Sequence, residues 1–361
     1  MKTIIHVVGA RPNFIKAAPL IAEIEKSWDV ENLIIHTGQH YDHNMSQQFF
    51  DELNIPKPNY NLNAGGGSHA KQTADIMVGC EKIFQEKLPE FIIVYGDINS
   101  CVAAAMVAKK LHIKVVHIES GLRSYDRKMP EEINRVMTDS ISDILFVTCQ
   151  DGVDNLIKEG IYSNVHLVGN TMIDSLVNFK DKFNTSSILD TLNIIKGEYI
   201  LSTLHRPSNV DDQHSLYSLM NTMEKMAKDN VVVFPIHPRT KNNLQKYNIF
   251  KKYNSIKNLK IIEPQGYIDF MCLQKNAKLI ITDSGGIQEE SSYFQTPCLT
   301  VRDNTERPVT ITHGTNKLIG ADYKNIIPQI GLMENKTSNI DLWDGKSSKR
   351  IVKILKKHYN D

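Results

Sequence analysis

Residues 117–135, HIESGLRSYDRKMPEEINR, set Glu119, Glu131 and Glu132 among Arg123, Arg127 and Arg135, directly after the apolar run IKVV. Carboxylates interleaved with guanidinium groups suit proton transfer, because a fixed, partly desolvated carboxylate is a general base and a neighbouring cation holds it ionised. The same composition also suits a solvated loop and a helix start, so the segment gains meaning from what other strand ends carry. Asp97 closes FIIVYGD behind Gly96, where it is either a reacting carboxylate or a helix cap. His205 leaves the apolar run YILSTL beside Arg206, a pairing better placed for a phosphate than for a core.

Two glycine turns add anion-binding chemistry. VVGARPNFIK reads as a strand, a tight turn and a helix opened by Pro12, with Arg11 and Lys16 contributing positive charge. Free backbone N–H groups at such a helix start suit a phosphate or diphosphate. The turn lacks the GxGxxG spacing, so a dinucleotide cofactor is not indicated. IITDSGGIQEES repeats the device: Ser284 can cap a helix, Gly285 and Gly286 allow close backbone approach, and Glu289 or Glu290 lies one turn in. A glutamate there accepts from a ribose diol or simply complements the helix dipole. Arg307, in the polar loop DNTERP, is either solvated or closes on an anionic ligand.

These residues need strands to present them. Short β-branched runs recur, each followed by a helical pattern: TIIHVV, NLIIHT, FIIVYGD, KVVHIES, ILFVTCQ and VHLVGN, then YILSTLH, VVVFPIH, LKIIEPQ, KLIITDSGG and CLTVRD. Apolar runs without polar alternation predict strands covered on both faces, hence parallel sheets wrapped by helices. The rhythm restarts after a polar stretch near Lys180 to Asn193, which predicts two doubly wound α/β domains, 1–170 and 171–345, with a C-terminal amphipathic helix over 346–361. Ligands of such sheets bind outside the carboxyl ends of the strands. Gly9-Ala10-Arg11, Thr37 to His40, Gly96-Asp97, His117 with Glu119, His205-Arg206, His237 and Asp283 to Gly286 all fall there. Two such domains with opposed strand ends would make one cleft.

Composition narrows the classes. At 361 residues, 41% hydrophobic and 23% charged, with a formal charge of +1, the chain carries no electrostatic footprint for nucleic acid or an anionic membrane. No run reaches the roughly 18 apolar residues of a membrane span, and the N-terminal run breaks at Gly9 and Pro12, which predicts a cytoplasmic protein. The five cysteines are widely spaced and the 13 histidines show no ligand spacing, so neither a disulfide framework nor a metal is expected.

VGARPNFIKAAPL, VYGD, HIESGLRS, MPEEINR, LSTLHR, DSGGIQEE and RDNTERP together resemble the UDP-N-acetylglucosamine 2-epimerase family of the non-hydrolysing type, in order and over nearly the whole chain. The resemblance implies a glycosyltransferase-B-like pair of Rossmann-like domains facing a cleft, with the terminal helix packed back on the first. It implies a homodimer that binds a UDP-sugar and uses no cofactor. The implied reaction inverts C2 of a UDP-2-acetamido sugar by elimination and re-addition of UDP through a glycal, supplying bacterial surface polysaccharide. Asp97, Glu119, Glu131 and His205 match catalytic positions. Arg11, Lys16, Arg135, His237, Tyr267, Ser284, Gly285, Gly286, Glu290 and Arg307 match substrate-binding positions, with Arg11 and Lys16 on the diphosphate and catalytic face and Glu290 on the ribose. Arg123 and Arg135 are expected to hold the carboxylates, and glutamine at 119 or 131 to lower turnover by roughly 10²-fold or more with little change in UDP affinity or melting temperature.

Asn13-Phe14 and HRPSNVDD stand where simple UDP-N-acetylglucosamine enzymes often have glutamates, which is similar to members acting on diacetamido uronic acids or 6-deoxy sugars. Gln39 and His40 match an allosteric substrate site of some members, whereas Asp42 and Lys71 depart from it. A hydrolysing 2-epimerase and a glycosyltransferase on the same fold are the alternatives.

Overall fold

The computed structural model describes residues 2–38, 52–333 and 336–360, without the side chains of Pro207, Ser208 and Asn360. Gln39, His40 and Asp42, with most of the segment HNMSQQFFDEL whose apolar spacing predicts a helix after NLIIHT, lie outside them. The chain forms two compact units, Met1–Phe179 with Asp341–Asp361, and Lys180–Ile340.

The first unit holds β1 (Thr3–Val8), β2 (Glu31–His36), β3 (Tyr60–Asn61), β4 (Phe91–Tyr95), β5 (Lys114–Ser120), β6 (Ile144–Val147) and β7 (Val165–Leu167). They lie in the order β3-β2-β1-β4-β5-β6-β7, every pair parallel. β1 and β4 are buried along their whole length, as strands covered by helices on both faces must be. One core joins Ile5, Val7, Ile92 and Val94 of this sheet to Ile76, Phe84 and the Ala103–Ala105 run of the covering helices.

The second unit holds β8 (Tyr199–Thr203), β9 (Val231–Pro235), β10 (Leu259–Ile262), β11 (Leu279–Thr282), β12 (Cys298–Thr300) and β13 (Asn316–Leu318), again all parallel, in the order β10-β9-β8-β11-β12-β13. Counted within the unit, this is the 3-2-1-4-5-6 order of a Rossmann sheet. Its core packs Leu216, Leu219, Met220 and Met223 of the Gln213–Met226 helix on Ile200, Val232 and Ile281. The edge strands β3 and β13 had no separate sequence signal, because two or three residues are too few to show a period.

The boundary falls after Phe179 rather than at 170. The Thr171–Asn178 helix belongs to the first unit because it anchors the chain's end. Buried Asp174 accepts from the first N–H groups of the Ser347–Asn360 helix, Ser347 at 3.0 Å and Ser348 at 2.6 Å, satisfying donors that no intrahelical carbonyl can reach. That terminal helix runs beside Arg11–Ser27, with Tyr359 edge-on to Trp28 at 5.0 Å. All five cysteines are buried.

Candidate active site

In the first unit β1 lies between β2 and β4, so the chain departs to opposite sides there and a crevice opens at the strands' carboxyl ends. Gly9-Ala10 follows β1 and Gly96-Asp97 follows β4. The Gly9 turn is closed by a residue inside its own helix. Asn13 Oδ1 accepts from the N–H groups of Gly9 and Ala10, both at 3.1 Å, while its Nδ2 donates to the Tyr95 carbonyl at 2.7 Å. The N–H groups of Gly9 and Ala10 are therefore engaged within the turn itself. An asparagine fits because the position needs an acceptor and a donor together, which a glutamate would not supply.

Lys16 is engaged as well. Its ammonium forms a salt bridge with Glu119 Oε2, both side chains buried. Glu119 sits at a register shift between β5 and β6 and holds φ at 72°. That left-handed conformation costs a non-glycine residue of order 1–3 kcal/mol, and such residues persist where their surroundings over-determine them. Gly96 (φ 71°) leaves room for the pair: a Cβ there would lie 3.1 Å from Lys16 Nζ and 3.3 Å from Glu119 Oε2.

A second carboxylate group is organised by the Pro130–Ile141 helix. Arg135 pairs with Asp97 Oδ2 and, at 2.7 Å, with Glu132 Oε2. Asn134 donates to the Asp97 carbonyl at 2.9 Å. Glu132 also accepts from the backbone of Ser124 at 3.0 Å and of Tyr125 at 2.9 Å. Burial by itself would raise the Glu132 carboxyl, but these N–H groups and the Arg135 guanidinium outweigh it and hold it below the usual range. Glu132 is thus a buried brace, while Glu131, one residue earlier, is exposed. Arg135 does hold a carboxylate of the expected set. Arg123 does not: it pairs with Asp139 at 2.7 Å and with Glu159 at 2.7 Å.

The equivalent switch point of the second unit lies between β8 and β11. Buried Asp283, following β11, accepts from the N–H groups of His205 and Arg206 at 2.9 Å each and from Asn209 at 2.8 Å, and lies 3.1 Å from His205 Nδ1. Burial opposes its ionisation, yet His205 and these backbone donors hold the carboxyl below its ordinary value. His205 is left 42% exposed, with its ring stacked on that of His237 at a centroid distance of 5.5 Å.

Ser284 is the N-cap of the Gly285–Phe294 helix. Arg307 lies across that helix start, ion-paired with Glu289 at 3.0 Å from its Nε and hydrogen-bonded through Nη1 to Glu306. A Cβ on Gly285 would come within 2.5 Å of Arg307 Nη1, so the bare glycine leaves the space that the guanidinium occupies. Glu306 also pairs with buried Arg302 at 2.8 Å. Glu290 is buried and accepts from Gln274 at 2.6 Å. Tyr267 is buried near it: desolvation first, then the Glu290 charge, push its hydroxyl well above the usual value. Among the described residues, no group of three or more His, Cys, Asp or Glu could hold a metal ion.

The family profile described as UDP-N-acetylglucosamine 2-epimerase matches residues 22–356. The chain belongs to the UDP-N-acetylglucosamine 2-epimerase family. It is 45% identical to the UDP-N-acetylglucosamine 2-epimerase of Methanocaldococcus jannaschii, over 97% of each chain. It is 38% identical to the UDP-2,3-diacetamido-2,3-dideoxy-D-glucuronate 2-epimerase of Pseudomonas aeruginosa, over 98% of this chain and 99% of that one. The crystal structure of the M. jannaschii enzyme in complex with UDP-GlcNAc and UDP superposes with a TM-score of 0.90, covering 99% of this chain and all of that one. Such neighbours have the glycosyltransferase-B-like fold. Identity is thus higher to a relative named for the simple sugar than to the one named for a diacetamido uronate, although Asn13 and the HRPSNVDD segment point the other way.

Within this family member the structure gathers Lys16 with Glu119, Asp97 with Arg135, His205 with His237, and Arg307 with the Ser284–Gly286 turn. It leaves Glu131 on its own exposed helix start. The sequence reading does not single out Asp139, Arg302 or Glu306, and it names Glu289 and Asp283 without the bracing contacts they make. A signal for the first existed. Glu132, Arg135 and Asp139 fall at i, i+3 and i+7 and are buried, while Ile133 and Met137 of the same helix are 42% and 40% exposed. A helix whose buried stripe is charged is built to position charges.

Proposed function

We propose that the protein inverts C2 of a UDP-2-acetamido sugar, with UDP-N-acetylglucosamine and UDP-N-acetylmannosamine as the pair interconverted, by eliminating and re-adding UDP. The observation that carries this reading is Glu119: a buried carboxylate, paired with Lys16 and fixed in a left-handed backbone conformation at a strand end. The C2 proton is weakly acidic because no carbonyl lies alpha to it, so its removal requires a placed base. In the forward half-reaction a carboxylate takes that proton, the C–H electrons form the C1–C2 double bond, and the C1–O bond breaks with its pair leaving on UDP. The reverse half-reaction returns a proton to the other face of C2 while a UDP oxygen re-forms the bond to C1. Two faces need two proton-transfer groups, and Glu119 and Glu131 are assigned to them, with Asp97 as the third carboxylate of the set.

The departing diphosphate needs donors, and the second unit supplies them. His205, oriented by Asp283, is assigned to the diphosphate together with Arg307 and the helix start at Ser284, Gly285 and Gly286. Glu290 is assigned to the ribose, with His237 and Tyr267 completing the nucleotide contacts. Arg11 and Lys16 keep the substrate-side roles the resemblance implies, Lys16 acting through Glu119. The product is proposed to feed surface polysaccharide. The chain is proposed to act as a cytoplasmic homodimer, in keeping with the absence of any helix among the described residues that is long and apolar enough to cross a membrane.

Incubation with UDP-N-acetylglucosamine in deuterated water tests the reaction. Deuterium should enter at C2 of both epimers without net loss of UDP-sugar. Free UDP and free sugar in equal amounts would establish the hydrolysing alternative, and full retention of the C2 hydrogen would refute the mechanism.

A further inference from the structure

Glu119 keeps a backbone conformation that its own side chain disfavours, so its neighbours must hold the turn. One carboxylate grips both sides of it. Asp139 Oδ1 lies 2.7 Å from Nδ1 of His117, and Asp139 Oδ2 accepts from the Gly121 N–H at 3.0 Å. Arg123 closes on the same Oδ2 at 2.7 Å and carries the network on to Glu159. The other edge of the imidazole, Nε2, lies 2.8 Å from the carbonyl of Gly96, the residue whose missing side chain makes room for the Lys16–Glu119 pair. His117 and Asp139 are completely buried.

A proton inventory fixes the ring. The Gly96 carbonyl can only accept, so Nε2 carries a hydrogen. Nδ1 faces a carboxylate oxygen, so a second proton lies between Nδ1 and Oδ1; without it two lone pairs would oppose each other in a dry interior. The ring therefore links the Gly96 peptide, on one side of Glu119, to Asp139, which holds Gly121 on the other.

We propose that Asp139, acting through His117 and Gly121, is the positioning residue of Glu119, setting where the carboxylate meets the substrate while touching no substrate itself. The proposal rests on the assignment of Glu119 to proton transfer, and its test separates the two. Asp139→Asn places an amide N–H₂ against either His117 or the Gly121 and Arg123 donors. It should lower kcat for UDP-N-acetylglucosamine by about 10–100-fold with KM within about twofold, as a displacement near 1 Å does. In a Glu119→Gln background the same substitution should lower the residual turnover by less than about twofold, because a residue that acts only through Glu119 has nothing left to position. Equal losses in both backgrounds would mean that Asp139 merely supports the fold, and would overturn the proposal. Normal turnover of Glu119→Gln alone would overturn the assignment of Glu119 instead. If Asp139→Asn does not fold, His117→Gln replaces it: its amide still donates to the Gly96 carbonyl but its oxygen opposes Asp139. The same non-additivity is expected there, and additivity would refute the proposal.

Discussion

Replacing Glu119 by glutamine separates the chemistry of this site from its stability. Lys16 and Glu119 are each about 6% exposed, so the variant leaves an ammonium group in a dry interior with an amide in place of its counter-charge. Removing one member of a buried pair costs about 3–5 kcal/mol; glutamine keeps one acceptor oxygen, which places the expected loss near the low end, about 3 kcal/mol. Removing both charges has a different sign of logic: Lys16→Met with Glu119→Leu leaves no unpaired ion, and its stability should return to within about 1 kcal/mol of the parent. Both variants should lose turnover by about 10²-fold or more, the usual contribution of a general base. The assay is built into the sequence, because both tryptophans, Trp28 and Trp343, lie in the first unit. Tryptophan emission in a urea titration therefore follows the unit that holds the pair. A single variant as stable as the parent, or a double variant weaker than the single, would show that the ion pair is not what this geometry says it is.

Glu131→Gln should lower turnover by about 10²-fold while moving stability by less than about 0.5 kcal/mol, since Glu131 is exposed in the first turn of its helix; near-normal kinetics would remove it from the site. Asp283→Asn should weaken UDP binding by about tenfold or more by isothermal calorimetry, because His205 loses the carboxylate that orients it; unchanged affinity would refute that role. Burial lowers the His6 pKa from 6.5 to about 4 against an opposing hydrogen bond with Asn32, so its stabilisation is complete above pH 6.5 and is lost as pH falls to about 4, about 3 kcal/mol in all. Tryptophan-monitored stability should show that early acid loss, and His6→Gln should flatten it. Asp139 and Glu132, whose folded pKa values are depressed, contribute stability above the ordinary carboxylate range of about 4, which is lost only at lower pH.

Much of this architecture was legible because parallel sheets write themselves as apolar runs. TIIHVV and FIIVY are buried at every position, which no half-exposed strand would tolerate, and the restart at YILST marked a second sheet. The strand ends then pointed to Asp97, Glu119 and His205. What could not be read was which charge meets which. Arg123 and Arg135 look equivalent beside the glutamates in the sequence, yet one reaches Asp139 and Glu159 and the other Asp97 and Glu132, because Arg123 lies in the loop after β5 and Arg135 on the buried stripe of the Pro130–Ile141 helix. Lys16 reads in the sequence as a contact for the diphosphate and catalytic face; the structure pairs it with Glu119 on β5, far along the chain, and that contact makes Glu119→Gln an expected loss of stability rather than a neutral change.

The two units use one topology for opposite electrostatic ends. At the β8/β11 switch point a buried aspartate consumes backbone donors in order to orient a histidine that stays 42% exposed, and a glycine helix start lies beside it. That arrangement keeps an oriented imidazole and a helix N-terminus side by side, and the helix start suits a ligand carrying permanent negative charge. At the β1/β4 switch point the same fold does the reverse. Asn13 closes the turn's N–H groups, Lys16 is neutralised by Glu119, and the Pro130–Ile141 helix turns a charged stripe inward so that Arg135 and Asp139 reach Asp97 and the Glu119 turn. Asp97 and Glu119 are each braced there by a cation, which fixes the carboxylates proposed for proton transfer. The proposed elimination, which breaks a C1–O bond to a diphosphate while a proton moves at C2, calls for both kinds of environment; an anion nest repeated in each unit would leave the C2 hydrogen untouched.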